Sequence, residues 1–484
     1  MGTHSSTLKR GALVSSAGVF GAAFLWLLGF KAVALWMGPE GVGLFSQLRQ
    51  VAQAATVGAT FGGTNSVVQG LAEREDETER WQFRATTLRL IALAGAGVVL
   101  VMAAAAPQLT HFFLSSDSPD LVAALRWIAL AVLLNVGATY GIAVLNGYRS
   151  YPHMALAQIA GPAALVLLLA GVGWWQLPPD PQLLAMSFVL CFGVTCLLGA
   201  VGVSRLSRPG AVARLGTLPT VQRRAFIRFA LSNLGAALAT TVALLLIRSW
   251  VIEDQGLAFA GLFDAGWTLT FNYTTLFLTA CSTIYLPLLT AATDPQRQKA
   301  CMLKTAYLVL GVSLMICYAM VLLKEPLINL LYSPEFKPSG QVVTILVIAV
   351  IFRGVSWVYG TMILATRNSR VLLASDLAVN LSLLATTRFA LDSFGSLEAL
   401  SWAFVLPNFV YLIFVVEYAR MKNRFMRRRR IWPLLAGGTL PLLYLAAASG
   451  GSSWANSETT TWLCMAMGLV TSSAALLAYR KVVL

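Results

Sequence analysis

The stretch GALVSSAGVFGAAFLWLLGFKAVALWM, residues 11–37, runs for twenty-seven residues with one charge, Lys31. A helix crossing ~30 Å of hydrocarbon needs roughly 20 mainly apolar residues, so this run is long enough to span a bilayer. It is too long for the apolar region of a secretory signal and lacks an A-x-A exit, so it reads as a retained first span. The remainder of the 484 residues continues the pattern: 57% are hydrophobic and 11% charged, against ~25% charged in soluble domains. That balance excludes a soluble globular protein and leaves no room for a separate soluble catalytic domain.

Apolar runs between polar breaks place helices near 11–37, 44–70, 85–105, 121–146, 153–173 and 182–204, then 229–251, 260–290, 303–323, 340–364, 371–390 and 398–418, and finally 432–449 and 460–479. The expected fold is an all-α polytopic membrane protein of about 14 transmembrane helices. With a cytoplasmic N-terminus, the outer loops contain only Lys324 and Lys337, six cations lie within spans away from their cytoplasmic ends, and the remaining 27 of 35 basic residues, counting Arg89 and Lys304 at the cytoplasmic ends of their spans, fall on the cytoplasmic side. This is the distribution the positive-inside rule requires, and it puts both termini in the cytoplasm. The run Arg427 to Arg430 then reads as an orientation anchor rather than a nucleic-acid patch, and the net charge of +15 calls for no nucleic-acid partner. Five of the six cysteines fall in apolar runs and Cys301 in an expected cytoplasmic loop, so no outward pair is available for a disulfide.

The sequence also repeats. Arg10 matches Arg228, Gly43-Leu44-Phe45 matches Gly261-Leu262-Phe263, Ser115 matches Ser333 and Arg149 matches Arg367, all at one and the same offset. A constant offset argues for two homologous six-helix halves. Six is even, so the halves share one orientation and form two parallel six-helix bundles around a central cavity. The expected division is 1–204 for the first bundle, 205–224 for a basic linker and 225–424 for the second bundle. Residues 425–484, a basic hinge and two additional helices, lie outside the repeat.

A cation at mid-span costs ~2.5–3.5 kcal/mol on insertion scales, so each one retained is functional, paired or snorkelling. Lys31, Arg49, Arg126, Arg248 and Arg388 fall in the outer thirds of their spans, and Arg353 lies near the middle of its own. Guanidinium forks on a cavity wall suit a phosphate or pyrophosphate, which accepts two parallel charge-assisted hydrogen bonds. Asp264 and Asp376 are the in-span carboxylates away from helix ends, suited to pairing an arginine or taking a coupling proton. The histidines are His4, His111 and His153, too dispersed for a metal or nucleophile site. With no Walker sequence either, neither a metal nor any other cofactor is expected and enzyme chemistry is poorly supported.

Met37-Gly38-Pro39-Glu40-Gly41-Val42-Gly43-Leu44-Phe45, Gln47-Leu48-Arg49-Gln50 and Gln69-Gly70-Leu71-Ala72-Glu73 resemble Wzx-type oligosaccharide flippases, the lipid III and O-antigen translocases of the multidrug/oligosaccharidyl-lipid/polysaccharide exporter superfamily. Leu145-Asn146-Gly147-Tyr148-Arg149, Ile284-Tyr285-Leu286-Pro287 and Leu331-Tyr332-Ser333-Pro334-Glu335-Phe336 spread the resemblance over roughly residues 10–420. It implies movement of an undecaprenyl-pyrophosphate-linked oligosaccharide from the cytoplasmic to the periplasmic leaflet of a bacterial inner membrane, with membrane lipids and polysaccharide polymerase machinery as further partners. By motif position it implies that Arg49, Arg248 and Arg353, with Lys31, bind the substrate, and it brings Asp264 to the same cavity. The additional C-terminal pair departs from the twelve-helix members and is similar to that of lipid II flippases. The alternatives are an ion-coupled multidrug exporter of the same superfamily, which would need in-span carboxylates for cationic substrates, and a membrane-embedded glycosyltransferase or polymerase, which would need an outward acidic pair in a long loop.

Overall fold

The computed structural model describes residues 2–61, 64–206, 220–291, 294–365, 369–422, 431–448 and 458–481, and among these every regular element is helical. Linker residues 207–219, Arg367 and the run Arg427 to Arg430 lie outside them. Hydrocarbon offers no water to hydrogen-bond, so a spanning backbone must satisfy its own N–H and C=O groups, and the helix does this within one segment. Ten stretches among the described residues are long and apolar enough to cross a membrane. The chain is a multi-pass membrane protein.

Helix α1 (Gly2–Ala59) contains the longest of these stretches, Leu13–Ala59, of 47 residues. As a straight rod it would measure ~70 Å, about twice the hydrocarbon thickness. It is not straight. Gly38 has φ 63° and ψ −156°, a left-handed conformation that costs other residues a Cβ clash, and Pro39 follows it. Past this corner the second arm returns along the first: the ring of Phe45 lies 5.1 Å from that of Phe30 and 6.1 Å from that of Trp26. One helix by hydrogen bonding is thus two crossings. Helix α2 (Thr64–Ala72) precedes α3 (Glu77–Ala104), and a short α4 (Ala106–Leu114) leads into α5 (Pro119–Gly147), α6 (Tyr151–Trp174) and α7 (Pro181–Leu206). Helix α8 (Thr220–Trp267) carries a second corner at Gly256, φ 86° and ψ 171°.

Gly38 and Gly256 are separated by the same offset as Arg10 and Arg228, and that offset recurs in the elements that follow. Helix α10 (Pro295–Leu322) repeats α3 in both its first and its last position, each helix behind an aspartate cap, Asp294 and Asp76, whose carboxylate accepts from a first-turn N–H. The start of the short α11 (Lys324–Leu331) repeats that of α4. The end of α12 (Ser339–Ala365) repeats that of α5, and the start of α13 (Ser369–Ser393) repeats that of α6. Helix α14 (Leu397–Lys422) corresponds to α7, and α15 (Ile431–Ala448) and α16 (Glu458–Lys481) have no counterpart.

Three local readings of the sequence need correction. The helix expected over 44–70 stops at Ala59, where Phe61 turns left-handed (φ 54°) and its N–H bonds the Gly58 carbonyl at 3.2 Å, tightening the last turn before Gly62 and Gly63. The helix expected over 260–290 is interrupted by a π turn at Thr268–Asn272 leading into α9 (Tyr273–Ala291). Around that turn the Thr270, Thr274 and Thr275 hydroxyls each bond the carbonyl four residues back, which loosens the regular ladder, while Trp267 and Phe271 stack with centroids 4.0 Å apart. Finally, Cys301 is buried within α10, which extends well beyond the expected 303–323.

The chain divides into two compact units, Met1–Ala258 and Phe259–Leu484. In the first, an aromatic cluster of Trp26, Phe30, Phe45, Phe188 and Phe192 fixes both arms of α1 to α7, with Phe45 and Phe188 stacked at 4.7 Å. In the second, α15 and α16 dock on α10. The Tyr318 hydroxyl donates to the Gly438 carbonyl at 2.8 Å, the Ser472 hydroxyl donates to the Gly311 carbonyl at 2.7 Å, and a Cβ on Gly468 would overlap the Tyr318 ring.

Because L-residues pay ~1–2 kcal/mol in left-handed backbone, Gly38→Ala and Gly256→Ala should each lower the midpoint of denaturant unfolding in detergent. Gly58→Ala, with open space at its Cβ, should be neutral or stabilise by up to ~1 kcal/mol. At the C-terminal pair, Gly468→Leu should destabilise by about 1–3 kcal/mol through overpacking. Combining it with Tyr318→Ala should cost less than the two single changes together, a non-additivity that thermal melts of the four proteins will detect.

Candidate functional site

The first unit brings Lys31, Arg49 and Arg248 to one region of α1. The corner at Gly38 lays the second arm on the first, so Arg49 meets residues that precede it by about twenty positions. Its guanidinium carbon lies 4.8 Å from the centroid of the Phe30 ring and 5.6 Å from that of Trp26, two faces one turn apart on the first arm. Such contacts are worth ~0.5–2 kcal/mol and fix the plane of the guanidinium, which sets where its N–H fork points. Lys31 is the residue after Phe30, on the same turn, and is half-buried. Arg248, on α8, donates from Nη1 to the Ser46 carbonyl at 3.1 Å, one turn of α1 from Arg49.

A polar seam holds this stretch of α8 against α1. Buried Gln47 donates to the Ser249 hydroxyl at 3.1 Å and to the Phe113 carbonyl at 3.0 Å, and Gln50 donates to the Thr241 carbonyl at 3.3 Å. Buried amide N–H groups that donate across the helix pair specify register, since a slip would strand them without acceptors. Arg248 therefore reaches the Arg49 turn because glutamines on either side of it lock α8 in place.

The second unit contains Arg353, Asp376 and Asp264. Helix α12 is the most enclosed span, its most apolar window 89% buried, yet Arg353 near its middle is exposed. Among the described residues, its guanidinium is within no hydrogen bond or ion pair. Asp376 on α13 and Tyr411 on α14 interact with it electrostatically, and the Tyr411 hydroxyl is hydrogen-bonded to Ser375 beside Asp376. Three helices thus surround an arginine that none of them neutralises by direct contact. Asp264 belongs to the same unit and is 2% exposed, one turn ahead of the π turn. Arg388 is accounted for structurally, through an ion pair with Asp392 at 2.7 Å near the end of α13.

Sequence reasoning missed Trp26, Phe30, Ser375 and Tyr411. Trp26 and Phe30 read as ordinary filler on an apolar run. Their role follows only from the chain reversal at Gly38, for which the Gly38-Pro39 pair was the available signal.

Several solved structures share this fold. The lipid II flippase MurJ in an inward closed conformation superposes with a TM-score of 0.70 at 11% identity, covering 97% of this chain and 99% of that one. An outward-facing multidrug resistance MATE family transporter of the MOP superfamily gives 0.66 at 16% identity, covering 86% and 95%. A MOP superfamily transporter from Pyrococcus furiosus, described by the reverse polarity of its binding pocket, gives 0.62 at 15%, again covering 86% and 95%. No family model and no curated protein sequence matches the chain. The similarity is one of structure, and it shows that the chain has the fold of MOP superfamily transporters.

Exposure of Arg353 at mid-span is compatible with water or with lipid, and thiol reactivity separates the two. In a variant without the six native cysteines, Arg353→Cys should react with a membrane-impermeant thiol reagent at least roughly 10-fold faster than Val355→Cys, whose parent residue is fully buried. Equal rates would mean that position 353 faces lipid or protein.

Proposed function

We propose that the chain is a flippase that carries undecaprenyl-pyrophosphate-linked oligosaccharide from the cytoplasmic to the periplasmic leaflet by alternating access. The observation that carries this reading is Arg353, an exposed guanidinium at mid-span with no hydrogen bond or ion pair among the described residues. A membrane protein does not keep such a charge unless something repays it, and a pyrophosphate entering beside it would do so with bidentate, charge-assisted hydrogen bonds. Arg49, Arg248 and Lys31 supply the same chemistry from the first unit. In this reading residues 1–204 and 225–424 are the two moving bundles, joined by 205–224, and residues 425–484 add the C-terminal pair. The protein sits in a bacterial inner membrane with both termini cytoplasmic and hands its substrate to polysaccharide polymerase machinery.

The glycan and pyrophosphate cross a water-lined path while the polyprenyl tail stays in lipid, which requires a lateral opening. Asp376 serves as the resident counter-charge of Arg353 when no substrate is bound, and Asp264 is a second candidate for coupling. The share of this chain covered by the lipid II flippase, 97% against 86% for the multidrug transporter, supports a lipid-linked substrate. The MATE likeness favours the competing reading of a multidrug exporter. In that case the in-span cations would repel organic cations, and Asp264 at 2% exposure would be a poor first contact for them.

Flipping of the lipid-linked glycan in reconstituted vesicles, normalised to inserted protein, tests the proposal. Losing one charge-assisted hydrogen bond costs ~1.5–3 kcal/mol, so Arg49→Ala, Arg248→Ala and Arg353→Ala should each weaken substrate binding roughly 10- to 150-fold. Arg49→Lys should retain part of the activity, since an ammonium keeps the charge and loses the planar fork. Wild-type rates in all three alanine variants would refute the arginine clamp.

A further inference from the structure

Across residues 342–363 of α12 every side chain is buried except two, Arg353 and Trp357. They are four positions apart, which sets them on one face of the helix and separates them by ~6 Å along its axis. Trp357 is half-buried, and its neighbours Ser356, Val358 and Tyr359 are enclosed. From α9 the ring of Tyr285 braces the indole, centroids 5.8 Å apart and planes at 53°. The brace is itself anchored: the Tyr285 hydroxyl donates to the Val358 carbonyl at 3.0 Å, and Tyr285 is 2% exposed. An aromatic ring that is only partly covered, backed by a fixed partner and one helical turn from an exposed arginine, is a preorganised surface.

We infer that Trp357 is a sugar platform and forms, with Arg353, a two-point subsite for the junction between pyrophosphate and glycan. This rests on the flippase reading. In a lipid-linked glycan the first sugar is joined to the distal phosphorus through a single oxygen, so its ring begins within one helical turn of the phosphate that Arg353 would hold. The C–H face of a pyranose is apolar and flat enough to stack on indole, while its hydroxyls stay directed at water. Phosphate recognition alone accepts any polyprenyl pyrophosphate, including the bare carrier that must return unloaded. A ring positioned one turn away distinguishes loaded from unloaded lipid, so Trp357 is a specificity-determining residue.

The test uses the full-length protein in detergent and two probes, undecaprenyl pyrophosphate and undecaprenyl pyrophosphate bearing one N-acetylglucosamine. The readout is the ratio of their dissociation constants for each preparation, which does not depend on the fraction of protein that is active. Wild type should bind the sugar-bearing lipid more tightly. Trp357→Leu should weaken that lipid about 3- to 10-fold, the range for one aromatic stacking contact, and leave the bare lipid within about 2-fold. Trp357→Phe, which keeps a ring against Tyr285, should retain most of the preference. Arg353→Ala should weaken both probes alike. If Trp357→Leu leaves the ratio unchanged, or if Trp357→Phe loses it as fully as Trp357→Leu, the platform is refuted while the flippase reading stands. If Arg353→Ala leaves both affinities unchanged, the phosphate reading beneath it fails instead.

Discussion

The energetics of this protein turn on the cost of a fixed positive charge in hydrocarbon. A guanidinium loses water when it enters the bilayer and recovers the loss only through a hydrogen-bonded anion, an aromatic face or readmitted water. The three arginines answer in different ways. Arg49 lies over two aromatic faces, 4.8 and 5.6 Å from their centroids. Arg248 donates to a backbone carbonyl of the helix it packs on. Among the described residues Arg353 has the longer-range influence of Asp376 and Tyr411 without a hydrogen bond or ion pair, and it is exposed. That order, from cushioned to open, tracks how much of each charge remains for a ligand.

Positioning those charges depends on backbone corners. Long apolar helices joined by a tight corner return antiparallel, and only then can Arg49 reach Trp26 and Phe30. Glycine is required at such a corner because positive φ brings Cβ against the following carbonyl. The second occurrence at Gly256, at the offset that also relates the starts of α3 and α10, means that one pattern of corners, caps and short helices was written twice into the chain. The two copies then diverged in chemistry: the first holds its arginine against rings, and the second holds one beside a carboxylate and a phenol.

Much of the architecture was legible in the sequence because hydropathy and the cost of unsatisfied backbone in lipid leave few alternatives. Each stretch read as a span is helical wherever it is described, apart from the break after Ala59 and the π turn at Thr268–Asn272. Those two exceptions coincide with threonine back-bonding, at Thr56 and Thr60 and at Thr270, Thr274 and Thr275, which hydropathy does not register. The short α4 and α11 escape a hydropathy reading because nine- and eight-residue segments fall below the length of a span. Of the site, the charged members stood out because charge is rare in such a chain. Their aromatic and hydroxyl companions did not, since Trp26, Phe30 and Tyr411 belong to residue types that any membrane helix uses as filler.

The geometry around Arg353 also bears on turnover. A contact ion pair with Asp376 would be worth most in low dielectric and would have to be broken each time a substrate arrived, placing the cost of separation on the binding step. An absent carboxylate would leave the empty carrier with an uncompensated charge. A counter-charge held near but out of contact avoids both extremes: it lowers the potential at the guanidinium and leaves the guanidinium N–H groups able to engage an anionic ligand. Tyr411, from α14, lies close enough to feel both Asp376 and Arg353. Under the proposed function this arrangement limits binding energy usefully, because a flippase that captured a pyrophosphate with every available charge in direct contact could not release it on the other side of the membrane.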